Sequence, residues 1–268
     1  MDMLLLLENY VNYVTGANTG ITYKLLGYEK GNDNAKVVTS SYEGQQGRKY
    51  IFTLGSDGSL NMLVENDDMT LSQYINGTGE DKTITSYSIN ADYTAPTSGI
   101  IGTTTRESVP STLQVNVNDG HSLTGLGNNG ITVAENYTLN FLGEDDEVSK
   151  MSGFGTAFTV NEGGVLNVEN MELTGNTTDI LNNGIVNFAK VNTLDTLSGN
   201  GTSNNTGTLN ITAAGLGMAL ANSGTLNLGA GTLSKAITGA GTTYITGNVT
   251  NSSTIGNNVI VNSVLTSS

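Results

Sequence analysis

The stretch Gly184-Ile185-Val186-Asn187-Phe188 returns as Gly207-Thr208-Leu209-Asn210-Ile211 and again as Gly224-Thr225-Leu226-Asn227-Leu228. Two earlier versions, Tyr137-Thr138-Leu139-Asn140-Phe141 and Gly164-Val165-Leu166-Asn167-Val168, share the apolar–Asn–apolar centre, and Gly241-Thr242-Thr243-Tyr244-Ile245 is a degraded copy. In the last four copies Asn or Gly stands two positions before the Gly, at Asn182, Asn205, Asn222 and Gly239. Between first residues the steps are 27, 20, 23, 17 and 17.

A unit recurring about every 20 residues cannot bury its apolar face alone and must stack on its neighbours, which is the signature of a solenoid. Strand alternation sends the two apolar residues one way and the Asn between them the other. Leu139/Phe141, Leu166/Val168, Val186/Phe188, Leu209/Ile211 and Leu226/Leu228 are therefore expected as inward rows. Asn140, Asn167, Asn187, Asn210 and Asn227 are expected as one outward ladder, with a coil length that shrinks from 27 to 17 residues. Strands stacked ~4.8 Å apart let such amides hydrogen-bond from coil to coil. A run of hairpins would alternate two kinds of strand, whereas here one strand type recurs after one turn type. A flexible linker would show no apolar phase.

Working outward, both prolines, Pro96 and Pro110, lie in a turn-rich segment, and nine of the eleven Tyr precede it. Asn/Thr/Gly repeats follow it. This composition shift divides the chain into residues 1–110, an irregular and mostly β region that is a cap or extra coils, and residues 111–268, the repeats. In the first region Lys49–Leu54 and Leu60–Val64 read as a hairpin across Gly55-Ser56-Asp57-Gly58-Ser59. Thr83–Ile89 alternates like a strand, and Met3–Val14 fits a short helix with Leu4, Leu7, Val11 and Val14 on one face.

The composition excludes several functions. Net charge is −14 with ten basic residues, so neutralising nucleic-acid phosphates or an anionic membrane is not expected. Without Cys there are no disulfides or thiolate metal sites. No stretch approaches the ~20 apolar residues of a spanning helix, so no membrane insertion is expected. The start, Met1 to Tyr10, has no basic region and only a four-residue apolar run, unlike a signal peptide.

The segment from Asn128-Asn129-Gly130 to Thr254-Ile255-Gly256, and above all Ile237 to Ser252, resembles the passenger regions of bacterial autotransporters and related surface adhesins. The resemblance implies a right-handed parallel β-helix, an extracellular or outer-membrane-associated location, and a non-enzymatic role as an adhesin or structural passenger. It also implies glycan or host-matrix surfaces as partners. The family's membrane barrel and export signal are not in this sequence, and Asn257-Asn258-Val259-Ile260-Val261 lacks a polar cap. The chain is accordingly read as a segment of a longer one. A pure spacer stalk and a carbohydrate-active β-helix enzyme are the alternatives.

Candidate chemistry is sparse, and no catalytic, cofactor-binding or metal-ligating residue is assigned. The single histidine, His121, stands beside the turn Asn118-Asp119-Gly120 and reads as a solvated loop residue rather than a triad member. From Thr196 to Ser268 the only charged residue is Lys235, so acid–base machinery could lie only nearer the N-terminus. There the carboxylates would be Glu144, Asp145, Asp146 or Glu147, with Lys150 or Arg106 as base. Glu65-Asn66-Asp67-Asp68 and the 144–147 run carry hard oxygen ligands, but neither matches a calcium-loop pattern. Both read as solvated charge runs.

Overall fold

A computed structural model describes the chain from Thr70 onward, apart from residues 79–85, 90–91, 96–100, 105–110, 119 and 145–146. Before Thr70 it describes the backbone of four strands, Thr22–Gly27, Thr39–Gly44, Arg48–Leu54 and Ser59–Asn66. The chain divides into two compact units, Met1–Thr70 and Leu71–Ser268.

In the first unit the four strands form an antiparallel sheet. Arg48–Leu54 and Ser59–Asn66 make the hairpin read from the sequence, with Tyr50 opposite Val64 and Leu54 opposite Leu60. The helix expected over Met3–Val14 lies outside the described residues.

The second unit opens with a helix, Leu71–Asn76, that the sequence reading did not contain. Leu71, Tyr74 and Ile75 are fully buried. The Tyr74 hydroxyl donates to Gln114 O at 3.0 Å and accepts from Gln114 N at 3.1 Å. Asn76 Oδ1 accepts from Thr103 N at 2.9 Å. Two side chains thus satisfy backbone groups of separate strands, which buried polar groups require.

Beyond the helix the unit is a parallel β-helix whose coils contribute to three faces. The first sheet has eight strands, from Ser86–Ile89 to Ile237–Thr238. The second has nine, from Tyr93–Thr94 to Asn258–Val261. A third has five, from Gly102–Thr103 to Leu197–Gly199, and a bridge from Leu197 to Leu216 extends it. Three further strands, Gly231–Leu233, Val249–Asn251 and Leu265–Ser267, form a separate short stack.

Three strands before Pro110 already pair in parallel with the coil that follows: Tyr87 opposite Val115, Tyr93 opposite Leu123, and Gly102 opposite Ile131. Coiling therefore starts upstream of the composition shift. Pairing needs alternation and register, and both are kept, with Tyr87 and Tyr93 standing in the inward columns that Val115 and Leu123 continue.

All five expected inward pairs, from Leu139/Phe141 to Leu226/Leu228, are buried. Each such side chain contributes roughly 1.5–3 kcal/mol by leaving water. Inside the coils Phe141 and Phe158 meet edge to face, with ring centroids 5.0 Å apart.

The glycine that opens every repeat after the first has a steric cause. Parallel coils approach so closely at the corner that a Cβ on Gly184 would fall on Gly164 O. One on Gly224 would fall on Gly207 O, and one on Gly241 on Gly224 O.

Candidate functional site

The outward asparagines do bond to one another, but as two ladders on two sheets. On the first sheet Asn167 Nδ2 donates to Asn140 Oδ1 at 2.7 Å, Asn187 to Asn167 at 2.8 Å, and Asn204 to Asn187 at 2.8 Å. On the second sheet Asn227 Nδ2 donates to Asn210 Oδ1 at 2.7 Å, and Asn210 donates to Thr193 Oγ1 at 3.1 Å.

The single ladder expected from the repeat is thereby corrected, because the repeat changes face between Phe188 and Thr208. Ile185–Ala189 pairs with Thr202–Asn205 on the first sheet, while Thr208–Thr212 pairs with Val191–Leu194 on the second. The 23-residue step therefore combines one 17-residue coil with the advance to the next face. Coil length falls from 27 residues at Asn140–Asn167 to 20 at Asn167–Asn187 and 17 at Asn187–Asn204, without a return to 23.

Where the long strand leaves the first sheet, its inward column turns polar. Phe188 is followed by Asn205, and Asn205 by Asn222, both fully buried. Asn205 Nδ2 donates to Asn222 Oδ1 at 2.8 Å and Thr225 O at 2.9 Å, and Asn222 Nδ2 donates to Thr242 O at 3.2 Å. The Asn before each later Gly is thus an internal corner brace.

Two residues beyond the first ladder, on the same outward side of the same strands, a second row stacks: Asn116, Leu142, Glu169 and Ala189. A recess of about 330 Å³ opens along this row. The corner that follows each strand supplies its far wall with Asn118, Gly143 and Glu144, then Asn170 and Lys190. Asn170 and Lys190 both turn that corner with left-handed backbone, at φ 52° and 56°. Asn tolerates this conformation, whereas Lys is strained by it. Asn170 Oδ1 accepts from Val191 N at 3.2 Å, which ties the two turns together. Asn170 Nδ2 in turn donates to Gly143 O at 3.4 Å, so both polar atoms of that amide are engaged within the wall of the recess.

Of the acid–base candidates in the sequence, Glu144 lines this recess and Lys150 does not. Lys150 Nζ instead donates to Glu172 Oε1 at 2.7 Å, and with Thr174 Oγ1 it holds the Glu172 carboxyl below its ordinary value. Glu147 is exposed, and Asp145, Asp146 and Arg106 lie outside the described residues, as do the side chains of Glu65 to Asp68. His121 Nδ1 lies 3.5 Å from Asp92 Oδ1, at an exposed carboxylate. Among the described residues no group of three His, Asp or Glu could hold a metal ion.

Sequence reasoning missed Glu169 and Lys190, although counting two residues past each ladder Asn marks the row that holds Glu169. It also missed Asp179, a fully buried carboxylate. Asp179 Oδ2 accepts from Asp195 N at 2.7 Å and Thr196 N at 2.8 Å, and Oδ1 accepts from Asn176 Nδ2 at 2.9 Å. Burial pushes its pKa up, against these hydrogen bonds. The two backbone donors come from the turn of the next coil, so Asp179 is a structural clamp.

Fold and outer face together define a parallel β-solenoid with hydrogen-bonded amide ladders. No family model matches the chain, nor does any curated protein or solved structure.

Proposed function

We propose that the protein is a non-enzymatic, surface-exposed β-solenoid acting as an adhesin or structural passenger region, with glycan or host-matrix surfaces as its partners. The observation that carries this reading is the pair of amide ladders on a rod whose last coils, from Thr196 on, hold Lys235 as their only charge. Side-chain bonds fix those amides at coil spacing, so they form a regular polar surface with little freedom left to lose on contact. Many weak contacts to a repetitive partner then add up by effective concentration. The resemblance of the repeats to autotransporter passengers supports the cell-surface setting.

The test is adhesion of the whole protein, displayed on beads, to neutral and acidic glycan arrays and to matrix proteins. Retention that falls steeply when display density is lowered is the expected result. Absence of retention on every surface would leave a spacer stalk. The recess carboxylates favour one further reading, a polysaccharide lyase or hydrolase. Unsaturated or reducing-end products that vanish in Glu169→Gln would replace the adhesive reading with that one.

A further inference from the structure

We propose that the helix Leu71–Asn76 is a built-in plug, whose side chains close the N-terminal edge of the solenoid against strand addition by a second copy of this chain. The first observation lies at Gly102. On one side this residue pairs with Ile131 of the next coil. On the other, Asn76 Nδ2 donates to Ile101 O at 3.4 Å and Asn76 Oδ1 accepts from Thr103 N at 2.9 Å. Donating to the residue before and accepting from the residue after is what a parallel strand does opposite its partner. The side-chain amide of Asn76 thus stands where the next peptide group of the sheet would stand.

The second observation is that Gly102 is shaped to this amide. A Cβ there would lie 2.5 Å from Asn76 Nδ2, so the amide reaches the strand only because the position is glycine. The rest of the same inward column is Ile131, Phe158, Ile180 and Leu197, large and apolar until it meets the helix. Asn76 Nδ2 also donates to Ser72 O at 2.8 Å, which fastens the amide to the helix's own turn.

The third is Tyr74, which closes a different sheet. Its hydroxyl takes both backbone groups of Gln114, and its ring packs on Tyr87 with centroids 5.3 Å apart, over the column that Val115 and Phe141 continue. Six residues are too few to hold a helix in water, and this one has no acidic residue in its first turn and no basic one in its last. Burial of Leu71, Tyr74 and Ile75 on this edge supplies its stability.

An uncovered sheet edge is a template for another chain. The strands cut to its spacing are those of a second copy, which carry the same alternation of inward apolar and outward polar residues. Charge does little to keep copies apart along the later coils, where Lys235 is the only charged residue from Thr196 on.

The experiment follows amide hydrogen exchange by NMR, and sedimentation, of the whole protein in the parent, Asn76→Ala, Asn76→Asp, Tyr74→Phe and the double variant Tyr74→Phe/Asn76→Ala. Asn76→Ala is expected to speed exchange at Thr103 about tenfold and leave the strand Thr208–Thr212 unchanged. Tyr74→Phe is expected to do the same at Gln114. Asn76→Asp keeps an acceptor for Thr103 N and is expected to keep that amide protected. The double variant is expected to associate more than the parent as concentration rises. Unchanged exchange at Thr103 and Gln114 would overturn the plug. So would a double variant that keeps Thr208–Thr212 protected and sediments as the parent does. Exchange speeded in all coils alike would also overturn it, since the helix would then hold up the whole core instead of closing one edge.

Discussion

Asn204 donates from Nδ2 to Asn187 Oδ1 at 2.8 Å, and there the first ladder ends, because Ala221 takes the next position. Three consecutive amide bonds therefore link four coils of three different lengths. Such a ladder keeps its register only if every coil brings its Asn to the same height.

Removing an interior rung tests this. Asn187→Ala breaks the bonds to both Asn167 and Asn204, and at about 1 kcal/mol for each half-exposed amide bond the expected loss is roughly 2 kcal/mol. Asn140→Ala, at the end of the ladder, breaks only one and should cost about half as much. Equal losses in chemical denaturation would show that the amides act independently of their neighbours.

The corner glycines make a sharper test. Gly224→Ala puts a methyl group onto Gly207 O, which only a backbone shift of the whole coil can relieve. A loss of more than about 4 kcal/mol or failure to fold is expected. Gly127→Ala meets open space but keeps a φ of 81°, so it should cost only about 1–2 kcal/mol. Thermal unfolding of the two variants side by side gives the comparison.

Asp179 and Glu172 should bend the pH dependence of stability in opposite directions. Burial raises Asp179, so the folded chain binds this proton more tightly than the unfolded chain. Its contribution is fully present below the unfolded value and is lost as pH rises through the folded one. Glu172 is lowered, by hydrogen bonds from Lys150 and Thr174 first, so its contribution is present above the unfolded value and is lost as pH falls through the folded one. Unfolding measured across the acid range should show Asp179→Asn gaining on the parent as pH rises, and Glu172→Gln gaining as pH falls.

Relief of backbone strain gives a fourth expectation. Lys190→Gly should leave stability unchanged or raise it by up to about 1 kcal/mol, since the left-handed φ of 56° is free for Gly, offset partly by unfolded-chain entropy. A loss above about 1 kcal/mol in urea unfolding would mean that the lysine stem packs structurally.

Much of the fold was legible because alternation is local. Leu166 and Val168 had to face one way and Asn167 the other, whatever the tertiary context. The face change was not legible, since Gly-Thr-Leu-Asn-Ile suits the first sheet and the second equally well. Only the 23-residue step, out of series with 20 and 17, marked it. The Leu71–Asn76 helix was missed because its six residues are too few for a helical period to stand out. At the site, Glu169 was within reach of the period-two rule, but Lys190 was not. Its role depends on a left-handed backbone in a corner, which lysine itself does not favour.

The first ladder also has a direction. Every amide from Asn204 to Asn167 donates toward the N-terminal coil, so the side-chain dipoles add head to tail instead of cancelling. The rod therefore carries a lateral vector, with an amide donor end at Asn140 and an acceptor end at Asn204. Two such columns lying side by side attract when they run in opposite senses and repel when they run in the same sense. Polarity of this kind gives the face a built-in preference for how anything fibrous aligns along it.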